Sequence, residues 1–248
     1  DDKAEENETV RLKYRYLDLR KPSLQRNMRM RAKIASAVRS YMDGEGFAEV
    51  ETPILTKSTP EGARDFLVPS RLHPGSFYAL PQSPQIYKQL LVLAGFDRYY
   101  QVARCFRDED NRADRQPEFT QVDVEMSFID EKDIQTVIEG AFARVFREVM
   151  GMEISLPLER ITWREAMENY GSDKPDRRFG MKLKNASDLC AGCGFPVFES
   201  AVAEGKSVRG INPEGCADMT RKQIDSLVEF VKTYRAKGLA YVTFAADG

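Results

Sequence analysis

The chain has 248 residues, enough for one or two domains, and its content of 42% hydrophobic and 31% charged residues is typical of a globular protein with a sizeable core. Lys and Arg total 37 against 39 for Asp and Glu, a balance that excludes a uniformly basic nucleic-acid coat but not a local basic patch. One histidine, His73, excludes a His-based triad or a multi-His metal site unless another chain supplies residues. No run of about 18 apolar residues is present, so no membrane span is expected.

The N-terminal end and the cysteines indicate a cytoplasmic protein. Residues 1–11 are polar and acidic and do not resemble a signal peptide. Cys190-x-x-Cys193 has the spacing of metal ligands, but a structural zinc site usually takes four ligands. Cys105 and Cys216 stand apart from that pair. We therefore predict reduced thiols and no bound zinc.

The first predicted elements are two helices and a short strand. Two apolar rows predict a helix over 27–46, and a helix with two such rows suits a position between a core and a partner subunit. A short strand is predicted over 47–53. Ser83 and Pro84 begin the next helix, with Ser83 as a candidate N-cap and Pro84 at the first helical position.

Two further strands, predicted over 99–106 and 119–129, enclose a loop crowded with charge. A long helix over 132–150 follows and ends at Gly151. The second strand alternates, with Val122, Val124, Met126 and Phe128 on the face toward the core and Gln121, Asp123 and Glu125 on the other.

The residue composition of the chain changes after Tyr170. A turn-rich junction over 171–176 is followed by a glycine-rich stretch with one clear helix over 221–236. An apolar, strand-like run covers 239–245. We predict a domain boundary here, with domains over 1–176 and 177–248.

The charged loop 108–118 has two interpretations. In the first it is a solvated hairpin tip whose charges pair with one another. In the second, Arg107 at the strand end offers a planar fork to a phosphate, and Phe119 offers a ring for stacking. The polar row that includes Asp123 carries the charge inward and needs partners or a ligand. The second interpretation predicts a nucleotide site on an antiparallel sheet.

Longer motifs resemble one family of enzymes. Residues 105–121, which contain Arg107-Asp108-Glu109 and Arg115-Gln116-Pro117-Glu118-Phe119, resemble motif 2 of the class II aminoacyl-tRNA synthetases, and residues 46–53 resemble motif 1. Within that class the chain resembles the bacterial aspartyl-tRNA synthetases. The segments that carry this likeness are 59–66 (the mobile loop), 79–90 (the amino-acid pocket), and 170–176, 220–225 and 237–241 (the insertion domain).

The resemblance implies an α+β fold. Residues 1–176 would form the first part of the catalytic domain, an antiparallel sheet flanked by helices, and 177–248 part of an α+β insertion domain. The chain is then expected to be a fragment without motif 3, and inactive by itself in aspartate-dependent ATP–pyrophosphate exchange. The implied activity of the complete enzyme is activation of L-aspartate with ATP to aspartyl-adenylate and transfer to the 3′ end of tRNA(Asp). Whether tRNA(Asn) is also charged stays open.

The resemblance also implies roles for single residues. Arg107 is the expected catalytic residue, because it would contact both the α-phosphate of ATP and the α-carboxylate of the amino acid. Lys88 would pair with the side-chain carboxylate of aspartate, and Glu61 would close over its ammonium group. The ATP-binding residues would be Arg107, Asp108, Glu109, Gln116 and Phe119, and the aspartate-binding residues Glu61, Ser83, Gln85, Lys88, Arg107 and Asp123.

Further implications concern the mobile loop, the metal and the partners. Arg64 and Asp65 are expected to hold the mobile loop, and Arg112 and Arg115 to contact the tRNA acceptor stem or to form local ion pairs. Mg²⁺ would accompany ATP, with ligands outside this chain, and a homodimer would form through residues 27–53. Asparaginyl- and lysyl-tRNA synthetases also contain motif 2, so motif 2 by itself does not single out the aspartate enzyme. The alternative to an enzyme is a non-catalytic descendant of this class that binds RNA or protein.

Overall fold

The computed structural model describes residues 6–59, 61–110 and 115–243. The chain divides into two compact units, with the division between Glu159 and Arg160. A compact unit need not coincide with a family's domain, so the boundary between 176 and 177 stays a prediction. Within the described residues, no helix combines the length and the apolarity needed to cross a membrane.

The first unit contains the long helices that the apolar rows predict. Pro22 occupies the first helical position of the longest one, which begins before the predicted start because the apolar rows that predict it begin only at Met28 and Met30. Another is capped by Asp130 and continues as a π-helical turn, Phe146–Met150. The helices are α1 (Glu8–Lys13), α2 (Arg15–Asp18), α3 (Pro22–Gly44), α4 (Gln85–Leu93) and α5 (Glu131–Val145).

The strands of the first unit form two small sheets. The main sheet has the order β1–β4–β5, in which β4 and β5 are antiparallel and the short β1 runs parallel to β4. The second is an antiparallel hairpin of β2 and β3. The strands are β1 (Ala48–Glu49), β2 (Leu67–Pro69), β3 (Phe77–Ala79), β4 (Arg98–Phe106) and β5 (Glu118–Met126).

The core lies between the main sheet and the helices α3 and α5. Met42 of α3 and Tyr100 of β4 are almost fully buried, and the ring of Phe47 meets that of Tyr100 edge-on, with centroids 6.5 Å apart. Gly140 allows α5 to approach α3, because a Cβ at this position would lie 2.0 Å from the hydroxyl oxygen of Tyr41. The apolar rows of the two helices therefore meet as the sequence predicts.

Four local predictions were wrong. Pro84 stands at the N-cap position of α4, and Ser83 is bonded to the loop that contains Glu61 rather than to the helix. The strand predicted over 47–53 covers two residues only. Phe128 lies beyond the end of β5, with a φ of 56° and 99% exposure, so it is not a core residue. Residues 239–243 contain no strand, and 244–245 lie outside the described residues.

The second unit contains short helices and one small antiparallel sheet. The helices α6 and α9 each begin with a capping box, in which Thr162 pairs with Glu165 and Thr220 with Gln223. Its cysteines, like Cys105 in the first unit, are free thiols. The elements are α6 (Trp163–Tyr170), β6 (Lys184–Asn185), α7 (Ser187–Cys190), α8 (Pro196–Ala203), β7 (Arg209–Gly210) and α9 (Arg221–Thr233).

Candidate active site

A buried ion-pair cluster lies on the polar face of β5. Lys88 extends from α4, which packs against β4 and β5, and is only 9% exposed. Its Nζ lies 3.0 Å from Oδ1 of Asp123 and 3.2 Å from Oε2 of Glu125. The alternation of β5 places both carboxylates on one face, and the first turn of α4 brings the ammonium group to them. The cluster carries one positive and two negative charges.

The pKa values in this cluster reflect burial and an excess of negative charge. Burial raises the pKa of the Asp123 carboxyl, and the nearby charges of Glu125 and Glu61 raise it further, while Lys88 opposes the shift. Burial acts against the charge of Lys88, but the two carboxylates more than offset it and raise the pKa of the ammonium group. Because negative charge is in excess, an additional cation is favoured next to Asp123.

One oxygen of the cluster has no partner. Oδ2 of Asp123 is buried and accepts no hydrogen bond from any residue that the structure describes. A buried carboxylate oxygen left in this condition is costly, and such groups commonly mark a ligand site. Glu61 is held nearby by Ser83, whose hydroxyl donates to Oε2 of Glu61 at 2.9 Å, and by Thr59, whose hydroxyl donates to Oε1 at 3.3 Å.

A second cleft lies at the loop end of the β4–β5 hairpin. The guanidinium carbon of Arg107 lies 5.1 Å from the centroid of the Phe119 ring. The backbone N–H of Arg107 donates to the carbonyl of Pro117 at 2.8 Å, which fixes the arginine at the end of the hairpin. A cation over an aromatic ring keeps its N–H donors for an anion. Four of the predicted ATP-binding residues line this cleft: Arg107, Glu109, Gln116 and Phe119.

The remaining predicted residues lie around these two places. Asp108 pairs through its backbone with Arg64 of the mobile loop. Gln85 is the first residue of α4, three positions before Lys88, and therefore shares its helix face. The side chain of Arg115 is 70% exposed, and its guanidinium lies 4.0 Å from the carboxylate of Glu109, whereas Arg112 lies outside the described residues.

Beside the polar row, β4 contributes buried polar groups of its own. The hydroxyls of Tyr99 and Thr52 both donate to Oε1 of Gln101, at 2.8 and 3.0 Å. Burial raises the pKa of the Cys105 thiol to about 11, so the thiol stays protonated at neutral pH and is not a nucleophile. Among the residues that the structure describes, no group of three or more His, Cys, Asp or Glu side chains is arranged to hold a metal ion.

Two residues of the site were not predicted as such from the sequence. Glu125 belongs to the polar row, but its pairing with Lys88 depends on how α4 packs on the sheet. Gln82 is buried and bonded to the mobile loop at Ala63 and Asp65. Gln82 lies in the segment 79–90 that resembles the amino-acid pocket, next to Ser83, but neither signal distinguishes a buried amide from an exposed one.

The comparisons with known proteins identify the family. The chain matches the family described as "tRNA synthetases class II (D, K and N)" over residues 7–238. The chain therefore belongs to the class II tRNA synthetases of this group. A solved structure of asparaginyl-tRNA synthetase from Pyrococcus horikoshii, in complex with asparaginyl-adenylate, matches with a TM-score of 0.54 and 25% identity over 59% of this chain and 33% of that one. The predicted α+β class II fold is confirmed.

Sequence relatives lie in the aspartate branch of this family. The chain is 62% identical over 241 residues to an "Aspartate--tRNA(Asp/Asn) ligase" from Lachnoclostridium phytofermentans, covering 97% of this chain and 40% of that protein. It is 59% identical over 247 residues to an "Aspartate--tRNA ligase" from Ruminiclostridium cellulolyticum, covering 100% of this chain and 42% of that protein. The chain thus spans about two fifths of the length of these curated relatives.

Proposed function

We propose that this chain provides the amino-acid pocket and the motif 2 hairpin of an aspartate–tRNA ligase. The enzyme would activate L-aspartate with ATP to aspartyl-adenylate and transfer the aspartyl group to the 3′ end of tRNA(Asp). The observation that carries the proposal is the cluster of Lys88, Asp123 and Glu125, in which one carboxylate oxygen of Asp123 lacks a partner among the described residues and Glu61 adds a nearby negative charge. This arrangement suits a ligand that bears both an ammonium group and a carboxylate.

The cluster has the charges to hold both ends of aspartate. The free oxygen of Asp123, together with Glu61 and Ser83, would accept the ammonium group, with Gln85 at the edge of the pocket. The ammonium group of Lys88 has three N–H donors, and Asp123 and Glu125 account for two of them. The third would pair with the side-chain carboxylate of the substrate.

The hairpin cleft suits ATP. Arg107 would stabilise the charge that grows on the α-phosphoryl oxygens as the substrate carboxylate attacks. Phe119 offers an aromatic surface to the adenine ring, Glu109 an acceptor for its amino group, and Gln116 a further polar contact. Asp108 fixes the neighbouring loop through Arg64. No general base is required, because the attacking carboxylate is already ionised at neutral pH.

Magnesium would accompany ATP and neutralise charge on its phosphates. The described residues offer no cluster that fits such an ion, so we assign no residue of this chain to it.

The proposal also includes the tRNA substrate, with tRNA(Asp) as the expected substrate and tRNA(Asn) as the alternative to test. Of the two arginines predicted to contact the acceptor stem, Arg115 is the one that the structure describes. A cytoplasmic place of action agrees with the free thiols.

A completed protein provides the test, and we define it as the Lachnoclostridium relative in which residues 1–248 replace the matching segment. Aspartate-dependent exchange of pyrophosphate into ATP is expected in this protein. Arg107→Ala should lower exchange about 100-fold or more, as expected for loss of a group that stabilises the transition state. Arg104→Ala serves as the matched control, because Arg104 is an exposed arginine of β4, three positions before Arg107, and is paired with Glu118. Full activity of the Arg107→Ala protein, or RNA binding without exchange in the unsubstituted one, would contradict the proposal.

We also propose a homodimer that forms through residues 27–53. The helix α3 exposes Met28 on one of its apolar rows and Met30 and Ile34 on the other, and this apolar surface is costly to leave in water. Sedimentation at tens of micromolar, roughly the range in which an interface of standard size associates, should show a dimer. Ile34→Glu is expected to shift it toward the monomer, whereas Phe230→Glu, a similar change at an exposed position on α9, should not.

A further inference from the structure

The side-chain amide of Gln82 ties the mobile loop to the amino-acid pocket. Gln82 is 2% exposed and directly precedes Ser83. Its Oε1 accepts a hydrogen bond from the backbone N–H of Ala63 at 3.1 Å. Its Nε2 donates to the carbonyl of Ala63 at 2.9 Å and to Oδ1 of Asp65 at 2.5 Å. The amide therefore pairs with the loop backbone as a neighbouring strand would.

These bonds fix every second residue of the loop against one dipeptide. Gln82 holds Ala63 and Asp65, and the adjacent Ser83 holds Glu61 through its carboxylate. On the other edge of the loop, Arg64 pairs with the backbone of Asp108. The loop is therefore bonded on both sides of the bend at residues 61–63, and the position of the Glu61 carboxylate depends on these contacts.

We propose that Gln82 is a positioning residue, which holds the mobile loop so that Glu61 faces the ammonium group of the amino acid. This inference rests on the proposed function. Gln82 acts through Glu61 and touches neither ATP nor the reacting atoms. Its loss should therefore weaken the binding of aspartate and leave the binding of ATP unchanged.

The first test is steady-state exchange kinetics of Gln82→Met in the completed protein. Methionine keeps the length of the side chain but cannot form the three hydrogen bonds, so KM for aspartate should rise about tenfold. KM for ATP should stay within about twofold, because Arg107 and Phe119 lie in the separate cleft. Gln25→Met makes the same chemical change at an exposed position of α3 and should leave both values unchanged.

A rescue experiment separates positioning from a general loss of packing. Gln82→Glu places a second carboxylate against Asp65 and should raise KM for aspartate more than Gln82→Met does. Adding Asp65→Asn supplies an N–H donor between the two side chains and should lower KM again by about fivefold. An equal rise of both KM values, or no rescue by Asp65→Asn, would overturn the proposal.

Hydrogen–deuterium exchange of the 248-residue chain provides a readout that does not require activity. Amides of residues 61–66 should exchange faster in Gln82→Met than in the unsubstituted chain, and unchanged exchange there would overturn the inference. Absence of exchange activity in the unsubstituted completed protein would contradict the proposed function. An active completed protein in which Gln82→Met leaves KM for aspartate unchanged would contradict the role of Gln82 alone.

Discussion

Two aspartates of the first unit, Asp18 and Asp123, have side chains that are only 4% and 12% exposed and lie in opposite electrostatic surroundings. Asp18, whose side chain is 4% exposed, is surrounded by Arg11, Arg15 and Lys21, with nitrogen–oxygen distances of 3.2, 2.6 and 3.4 Å. The hydrogen bond from Arg11, together with the other cations, holds the pKa of the Asp18 carboxyl below its usual value, although burial opposes the shift. Positive charge is in excess around this carboxylate.

Asp123 is also largely buried, but negative charge is in excess around it. It shares Lys88 with Glu125, and its second oxygen has no partner among the described residues. Burial raises the pKa of the Asp123 carboxyl, whereas the cations around Asp18 lower the pKa of the Asp18 carboxyl. The comparison distinguishes a carboxylate whose bonds are completed within the fold from one whose bonds would be completed by a ligand.

The largest expected effect is a loss of amino-acid selectivity when Lys88 is changed. Aspartate and asparagine have nearly the same shape, so a pocket must distinguish them by charge. In the completed protein, Lys88→Met should raise KM for aspartate and lower the aspartate-to-asparagine ratio of kcat/KM by about 100-fold, because the substrate carboxylate loses its counter-ion. ATP binding should hardly change. Exchange kinetics with both amino acids measure the ratio, and an unchanged ratio removes Lys88 from this role.

A smaller effect, on stability, is expected at Asp18. Asp18→Asn leaves three cations around an uncharged side chain and should lower Tm at pH 7 by a few degrees. The pKa of Asp18 is lower in the folded chain than in the unfolded chain. The stabilisation is therefore present at pH values above the unfolded-state pKa near 3.8 and is lost as the pH falls through the folded-state pKa. The difference in Tm from the unsubstituted chain should therefore shrink toward pH 3. Asp173→Asn, at an exposed position, should change Tm little at either pH.

The smallest effect is expected for Asp123→Asn, because Lys88 keeps Glu125 as a partner. The pH dependence should have the opposite sign. The pKa of Asp123 is raised in the folded state. The favourable contribution of Asp123 to stability is therefore present at pH values below its pKa in the unfolded chain and is lost as the pH rises through its pKa in the folded chain. Asparagine does not ionise, so the Tm of the variant relative to the unsubstituted chain should improve as pH rises from 4 to 7. A parallel pH dependence of the two variants would remove the contrast between the two aspartates.

The elements that the sequence predicted well are those with long apolar periodicity. The helices α3 and α5 and the strands β4 and β5 are found within a few residues of their predicted bounds, apart from the early start of α3 at Pro22. The local errors at Ser83 and Phe128 have a common cause. Ser83 is an acceptable N-cap, but its hydrogen bond to Glu61 overrides this local preference. Phe128 continues the alternation of β5, but a left-handed backbone conformation at this residue overrides it.

The sequence by itself determined the family, the alternation of β5 and the identities of the charged residues, because motif spacing and strand periodicity are local properties. The tertiary structure decided which of those charges meet. Lys88 and Asp123 are joined only by the packing of α4 on the sheet. Likewise, the burial of Gln82 depends on the loop that folds over it, and no local pattern records that contact. Which side chains pair and which are buried depends on contacts between residues far apart in the sequence. For this reason the unpaired oxygen of Asp123 is visible only in the folded chain.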